Sequence, residues 1–321
     1  MIEELTKKAP TISASDLVSI DDLSAGEVNE LFDFAVALKA DPASYTTILA
    51  GKAVILLFEK PSLRTRVSFE VGIAKLGGFP MYFDHTNPRI GVREAIKDYA
   101  RNLERWVQCI VARTFEHATI EQLALHAGVP VVNALSDIEH PCQALADLFT
   151  MREHLGDLKN KRVAYVGDGN NVCHSLMLLC AKLGVDCTVI TPPGYEPDAG
   201  IANHAGEIAG ITGAAIVLTH DMDQVKGHHA VYTDKWVSMG QETHDGQAGK
   251  ASSFTPYQVN AGVMKRAGDG IGRDAIFMHC LPATRGKEVT EEVMDSPASV
   301  VYDQAENRMH TQNALLCGLL G

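Results

Sequence analysis

A chain of 321 residues, 46% hydrophobic and 21% charged, has an ordinary globular composition and is long enough for one large or two medium domains with separate cores. Its net charge of −12 argues against a nucleic-acid binder, and any anion site must be built from local arginines working against the global field. No apolar run reaches membrane-spanning length, MIEELTKKAP holds no signal-peptide core, and the seven scattered cysteines lack metal-type spacing, so a cytoplasmic chain without metal or membrane is expected.

The first apolar run, Ala53 to Phe58 (AVILLF), is short and partly β-branched, as a buried strand requires. It leads into FEKPSLRTRVSFE, residues 58–70, where Pro61-Ser62 reads as a helix start with Ser62 as N-cap. Val67, Val71 and Ala74 recur at helical spacing until Gly77-Gly78 ends the pattern. Arg64, Arg66 and the hydroxyls of Ser62, Thr65 and Ser68 therefore crowd a helix N-terminus that already carries partial positive charge. Such crowding reads either as a hydroxyl cap with solvated arginines or as a cradle for a phosphate.

Further strands are expected at CIVA (109), PVVNA (130), RVAYV (162), DCTVI (186), AAIVL (214), IFMH (276) and SVVY (299), with amphipathic helical stretches between most of them. This alternation predicts an α/β fold with two series of parallel strands, one before about residue 140 and one after about 160. Between them HPCQALADLFTMREHL, with Leu145, Leu148, Phe149 and Met151, reads as one continuous helix. The stretch from Ser238 to Gln258 is polar, contains glycine and is too long for a passive connection, so it is expected to form an active-site lid.

Several strand ends carry polar groups. In VAYVGDGNNVCHS, Gly167 and Gly169 fit G-x-G, but Val172 stands where a dinucleotide-binding fingerprint needs its third glycine. The glycines read as a tight strand-to-helix turn that leaves Asn170 and Asn171 at the mouth of the sheet, where amides suit a zwitterion. HPCQ places His140 and Gln143 either side of a proline, TDKWVSMGQE supplies Asp234, FMHCLPATRG exposes Cys280, and AENRMHTQNALL opens the last helix with Arg308. Taken singly, each has a plain structural reading as well: a turn, a core cysteine, a solvated arginine.

In this order FEKPSLRTR, HPCQALAD, GDGNN, SMGQE, HCLP and AENR resemble the motif series of the ornithine carbamoyltransferases, from about Leu23 to the C-terminus. HCLP with SMG is specific to the ornithine branch of the wider aspartate/ornithine carbamoyltransferase family. The resemblance implies two α/β domains, each a parallel sheet flanked by helices, joined by a long helix and by the returning C-terminal helix. Residues 1–145, completed by about 304–321, would bind carbamoyl phosphate, and 146–303 would bind L-ornithine. The implied reaction moves the carbamoyl group to the δ-amine of L-ornithine through a tetrahedral intermediate, giving L-citrulline and phosphate. It serves arginine metabolism, needs no cofactor or metal, and takes place in a homotrimer or a multiple of trimers.

By the same resemblance Ser62, Leu63, Arg64 and Thr65 cradle the phosphate, and Arg113 reaches both phosphate and carbonyl oxygen. His140 bonds that oxygen, Gln143 the carbamoyl amide, and Arg308 closes on the anionic end. Asn171, Asp234, Ser238 and Met239 bind the amino and carboxylate groups of ornithine. Cys280 and the Leu281 backbone lie nearest the attacking amine, where a thiolate and a carboxylate would assist proton removal. Arg64, Arg113, His140 and Cys280 carry the catalytic roles, and Arg89 sits in a loop that, in the family, reaches a neighbouring subunit's carbamoyl phosphate site.

Two positions depart from the family pattern. Leu63 replaces the first threonine of Ser-Thr-Arg-Thr, and Arg89 replaces a glutamine or histidine. Leu63 keeps an N-acylornithine carbamoyltransferase as an alternative, opposed by Lys60, SMG and HCLP; a non-catalytic homologue binding carbamoyl phosphate or ornithine is the other. An aspartate carbamoyltransferase would need a cationic pocket for a second carboxylate, which Asp234, SMG and Cys280 do not supply.

Overall fold

Parallel pairing runs through both sheets of the structure, a computed structural model that describes residues 8–236 and 252–321. The chain forms two units, one running to Ala146 and completed by Glu306–Gly321, the other spanning Asp147–Ala305.

In chain order the first unit holds α1 (Ala25–Ala40), β1 (Ala53–Phe58), α2 (Leu63–Lys75), β2 (Phe79–Asp84), α3 (Ile96–Leu103), β3 (Cys109–Arg113), α4 (His117–His126) and β4 (Val131–Leu135). It also holds the start of α5 (Pro141–Leu155) and the end of α10 (Val301–Leu320). The strand order is β2-β1-β3-β4. Successive side chains of a strand face opposite ways, so Ile55 and Leu57 of β1 and Ile110 and Ala112 of β3 enter one core. There they meet Ala100 and Leu103 of α3 and Ile120 and Leu123 of α4, each buried leucine or isoleucine contributing about 1.5–3 kcal/mol.

The second unit holds the rest of α5, then β5 (Arg162–Val166), α6 (Asn171–Leu183), β6 (Asp186–Ile190), α7 (Ala199–Thr212), β7 (Ile216–Thr219) and β8 (Ala230–Thr233). After these come α8 (Ala261–Gly268), β9 (Ile276–His279), α9 (Glu291–Met294) and the start of α10. The strand order is β7-β6-β5-β8-β9, and Ala164, Val166, Val231 and Phe277 pack with Val263 of α8 and Val293 of α9. In each sheet the chain leaves its first strand to one side and later returns on the other, at β1/β3 and at β5/β8. Open α/β sheets bind ligands outside the carboxyl ends of strands at such points. Among the described residues no helix is long and apolar enough to cross a membrane.

The α/β architecture is as expected, with four local corrections. SVVY at 299 is not a strand: Ser299 makes only an isolated bridge to Phe277, and Val301 already begins α10. β2 and β8 were not foreseen. β2 (FPMYFD) is a half-exposed edge strand without clean alternation, and an edge tolerates Pro80; β8 (AVYT) is only four residues long. On α2 the buried face is Thr65, Phe69, Gly72 and Ile73, while Val67 and Val71 are 45% and 40% exposed. Two residues along a helix turn a side chain by about 200°, so the valines face away from the sheet.

The expected glycine turn after β5 is real. Gly167 has φ +147°, and a Cβ on Gly169 would collide with the backbone of Glu196 and Pro197. Most of the expected lid lies outside the described residues; its described end holds a 3-10 turn at Thr255–Tyr257, with Phe254 and Tyr257 buried.

Candidate active site

In the first unit Phe58 and Arg113 are paired across β1 and β3, so FEKPSLRTR and the residues after Arg113 emerge side by side. Ser62 caps α2: its hydroxyl accepts the Thr65 N–H at 3.3 Å and donates to Thr65 Oγ1 at 3.0 Å. Leu63, the first residue of the helix, is 75% exposed and offers that end mainly its backbone. Arg64 is half-buried on the first turn. Arg66 is otherwise engaged, with its guanidinium bonded to Glu70 at 3.1 Å and stacked on Tyr82 at 3.8 Å. The solvated-arginine reading therefore holds for Arg66.

Arg308, on α10, is buried and brings distant elements together. Its Nη1 donates to Gln143 Oε1 at 2.6 Å and its Nη2 to Thr65 Oγ1 at 3.4 Å. Gln143 and His140 stand at the start of α5, and both are buried, as is Arg113. Burial first, then Arg308 and Arg113, hold the His140 pKa well below its ordinary value, so the imidazole is neutral at neutral pH. A neutral ring beside cations can hydrogen-bond a carbonyl oxygen without delivering a proton to it.

Two neighbours extend this cationic corner. Arg89 is exposed and stacks its guanidinium 3.8 Å from the Phe115 ring centroid, while Lys60 Nζ lies 4.6 Å from the same centroid. Burial, then Arg113, lower the Lys60 pKa, with Asp137 acting the other way. Beneath them the Glu59 carboxylate, 3% exposed, accepts the Ile90 N–H and the Phe115 N–H, both at 2.9 Å. Glu59 thus ties the Arg89 loop to the end of β3. The sequence reading assigned no role to Glu59 or Phe115; the only available signal was a glutamate directly after an apolar strand.

In the second unit Val166 pairs with Thr233 and Thr233 with His279, so the residues following β5, β8 and β9 meet at one edge. Cys280 Sγ donates to Asp234 Oδ1 at 2.9 Å. Burial and the Asp234 carboxylate raise the Cys280 pKa well above its ordinary value, so this environment favours a thiol, not the thiolate expected from the sequence. Leu281 has φ +58°, and its N–H donates to His279 Nδ1 at 2.8 Å. The ring proton of His279 is therefore on Nε2, 3.4 Å from Glu288 Oε1, with both side chains buried. Asn171 opens α6 and is half-buried. Asn170, expected to face a ligand, instead donates to Asp234 Oδ2 at 2.8 Å. Ser238 and Met239 lie outside the described residues. Asp234, His279 and Cys280 offer three potential metal-ligand atoms within 4.8 Å of one another, but Asp234 and Cys280 are bonded to each other and His279 Nδ1 accepts from Leu281.

The carbamoyl-P binding domain of aspartate/ornithine carbamoyltransferases matches residues 15–153, and the Asp/Orn binding domain of the same family matches residues 159–319. The ornithine carbamoyltransferase of Shewanella oneidensis is 51% identical over 302 residues, covering 94% of this chain and 98% of that protein. That of Pyrococcus horikoshii is 46% identical over 314 residues, covering 97% of each. Among solved structures, ornithine carbamoyltransferase from Pyrococcus furiosus is similar with a TM-score of 0.91 at 45% identity, over 97% of this chain and 98% of its own. The chain belongs to the aspartate/ornithine carbamoyltransferase family.

Proposed function

We propose that the chain transfers the carbamoyl group of carbamoyl phosphate to the δ-amine of L-ornithine, giving L-citrulline and phosphate, within arginine metabolism. The observation that carries the choice of second substrate is Asp234, whose carboxylate is gripped by Asn170 and Cys280 at the carboxyl end of β8. A fixed carboxylate accepts hydrogen bonds from an ammonium group and repels the second carboxylate of aspartate. Full-length relatives carrying the name ornithine carbamoyltransferase support the same choice.

In this reading the first unit holds carbamoyl phosphate. Ser62, Leu63, Arg64 and Thr65 receive the phosphate at the N-terminus of α2, with Arg89 and Arg308 adding charge. Arg113 and the neutral imidazole of His140 donate to the carbonyl oxygen as it gains negative charge. Gln143 Oε1, which already accepts from Arg308, has a second lone pair for the carbamoyl amide. The second unit holds ornithine through Asn171, Asp234, Ser238 and Met239, with Cys280 and the Leu281 backbone next to the amine. The ammonium gives up one proton to solvent water, its nitrogen bonds to the carbamoyl carbon, and the carbon–oxygen bond to phosphate then breaks. The second nitrogen proton leaves as the departing phosphate takes one up. No covalent enzyme intermediate is required.

The active assembly in this reading is a cytoplasmic homotrimer, which sedimentation of the purified chain tests. The activity itself is tested by steady-state carbamoylation with ornithine, N-acetylornithine, putrescine and aspartate offered separately. Ornithine should be the preferred acceptor; faster use of N-acetylornithine or aspartate, or no citrulline at all, would overturn the reading.

A further inference from the structure

We propose that Asn170 is a positioning residue for ornithine: it locks the plane of the Asp234 carboxylate. The inference rests on the reading of Asp234 as an ornithine contact.

Asn170 follows the turn after β5 and caps α6, accepting the Val172 N–H at 3.0 Å and the Cys173 N–H at 3.2 Å through Oδ1. The single proton of the Tyr165 hydroxyl is directed at the Asp168 carbonyl at 2.9 Å, with Asn170 Oδ1 further off at 3.2 Å. Two backbone donors on Asn170 Oδ1 identify it as the carbonyl oxygen and leave the amide nitrogen pointing the other way. That nitrogen donates to Asp234 Oδ2 at 2.8 Å, across 64 residues of sequence. The other carboxylate oxygen, Oδ1, accepts from Cys280 Sγ at 2.9 Å and from the Lys235 N–H at 2.7 Å.

Terminal rotation of an aspartate is soft, and two oxygens held by donors from opposite sides cannot exchange places. The lone pairs left over then point in one direction, which is what a bound ammonium requires. Asn170 is itself held by the two N–H groups of the helix it caps, beside Tyr165, which is fully buried and stacked on Tyr232 at 5.7 Å between ring centroids. A rigid helix terminus therefore sets the orientation of a group whose own backbone lies just beyond a strand.

Asn170→Ser separates capping from positioning. Serine caps a helix as well as asparagine does, but its single short hydroxyl cannot also reach Asp234. The melting temperature should stay within about 3 °C of wild type. The KM for ornithine should rise about tenfold or more, with the KM for carbamoyl phosphate within about twofold, because the lost bond is to a charged acceptor on the ornithine side alone. An unchanged KM for ornithine in the folded variant overturns the proposal. If Asn170→Ser does not fold, Asn170→Asp decides: it keeps a capping oxygen but puts a carboxylate where the amide donated to Asp234, so the KM for ornithine should again rise about tenfold or more, and no change overturns the proposal. Failure of the wild-type protein to carbamoylate ornithine would instead overturn the underlying function.

Discussion

Replacing Arg308 separates charge from geometry in the first unit. Its two terminal nitrogens serve different partners, Gln143 at 2.6 Å and Thr65 at 3.4 Å, so the single Nζ of Arg308→Lys cannot hold both. Counting about 1.5–3 kcal/mol for the short charge-assisted bond and under about 1 kcal/mol for the long one, loss of the fork lowers kcat/KM for carbamoyl phosphate about 10- to 100-fold. Arg308→Met keeps an unbranched apolar stem but removes the charge and both of these bonds, and should cost about 100- to 1000-fold. The two variants differ in a second respect. Burial is the largest cause of the depressed His140 pKa and Arg308 the next, so removing the charge lets that pKa climb part of the way toward its ordinary value. The sign is upward in Arg308→Met and near zero in Arg308→Lys, because the lysine is still a cation. NMR of the histidine-labelled protein, with the His140 signal assigned by its absence in His140→Gln, reads this directly. A lysine variant within about threefold of wild type, or a His140 titration unmoved in the methionine variant, would refute the reasoning.

Because burial and Asp234 hold Cys280 as a thiol, its alkylation by iodoacetamide should be slow near about pH 8 and rise only above the ordinary thiol range. Asp234→Asn should quicken that alkylation at any given pH, and mass spectrometry showing equal rates would remove the electrostatic explanation. In Glu59→Gln one amide oxygen must replace two carboxylate oxygens under Ile90 and Phe115, so stability should fall by about 1–3 kcal/mol, seen as a lower urea midpoint at unchanged slope. Leu63→Thr should leave the KM for carbamoyl phosphate within about twofold, since that position offers mainly its backbone N–H; a tenfold gain would show that the side chain matters.

The sequence was most legible where polar groups follow the end of an apolar strand. AVILLF, CIVA and IFMH were read as strands, and Ser62, Arg113 and Cys280 follow from where those strands stop. Pairing partners were less legible, because β2 is an exposed edge and β8 is four residues long, and neither offers enough alternation to be read. The misreading of SVVY has a similar origin: two adjacent valines look like a strand, yet Val301 is already the first residue of a long helix. Orientation was not legible at all. GDGNN shows two asparagines, but only the bonds from Val172 and Cys173 tell that the Asn170 amide nitrogen faces Asp234. Likewise the sequence displays Asp234 and Cys280 46 residues apart but not the 2.9 Å contact that, with burial, raises the thiol pKa.

The two sheets each start a helix from their central strand, α2 after β1 and α6 after β5, and the two helices differ in the atom that closes their first turn. Ser62 closes α2 with a hydroxyl that accepts from the Thr65 N–H and donates to the Thr65 hydroxyl oxygen, and whose proton can rotate. Such a cap can release the helix amides and turn its own hydrogen toward an incoming oxyanion, so the same atom serves the empty and the loaded terminus. Asn170 closes α6 with a carbonyl oxygen that has no proton to turn and two backbone donors already on it. That terminus has no second state to offer an anion. A single choice of capping residue thus separates two similar frameworks, giving one a terminus that can adapt and the other a fixed bracket for the Asp234 carboxylate.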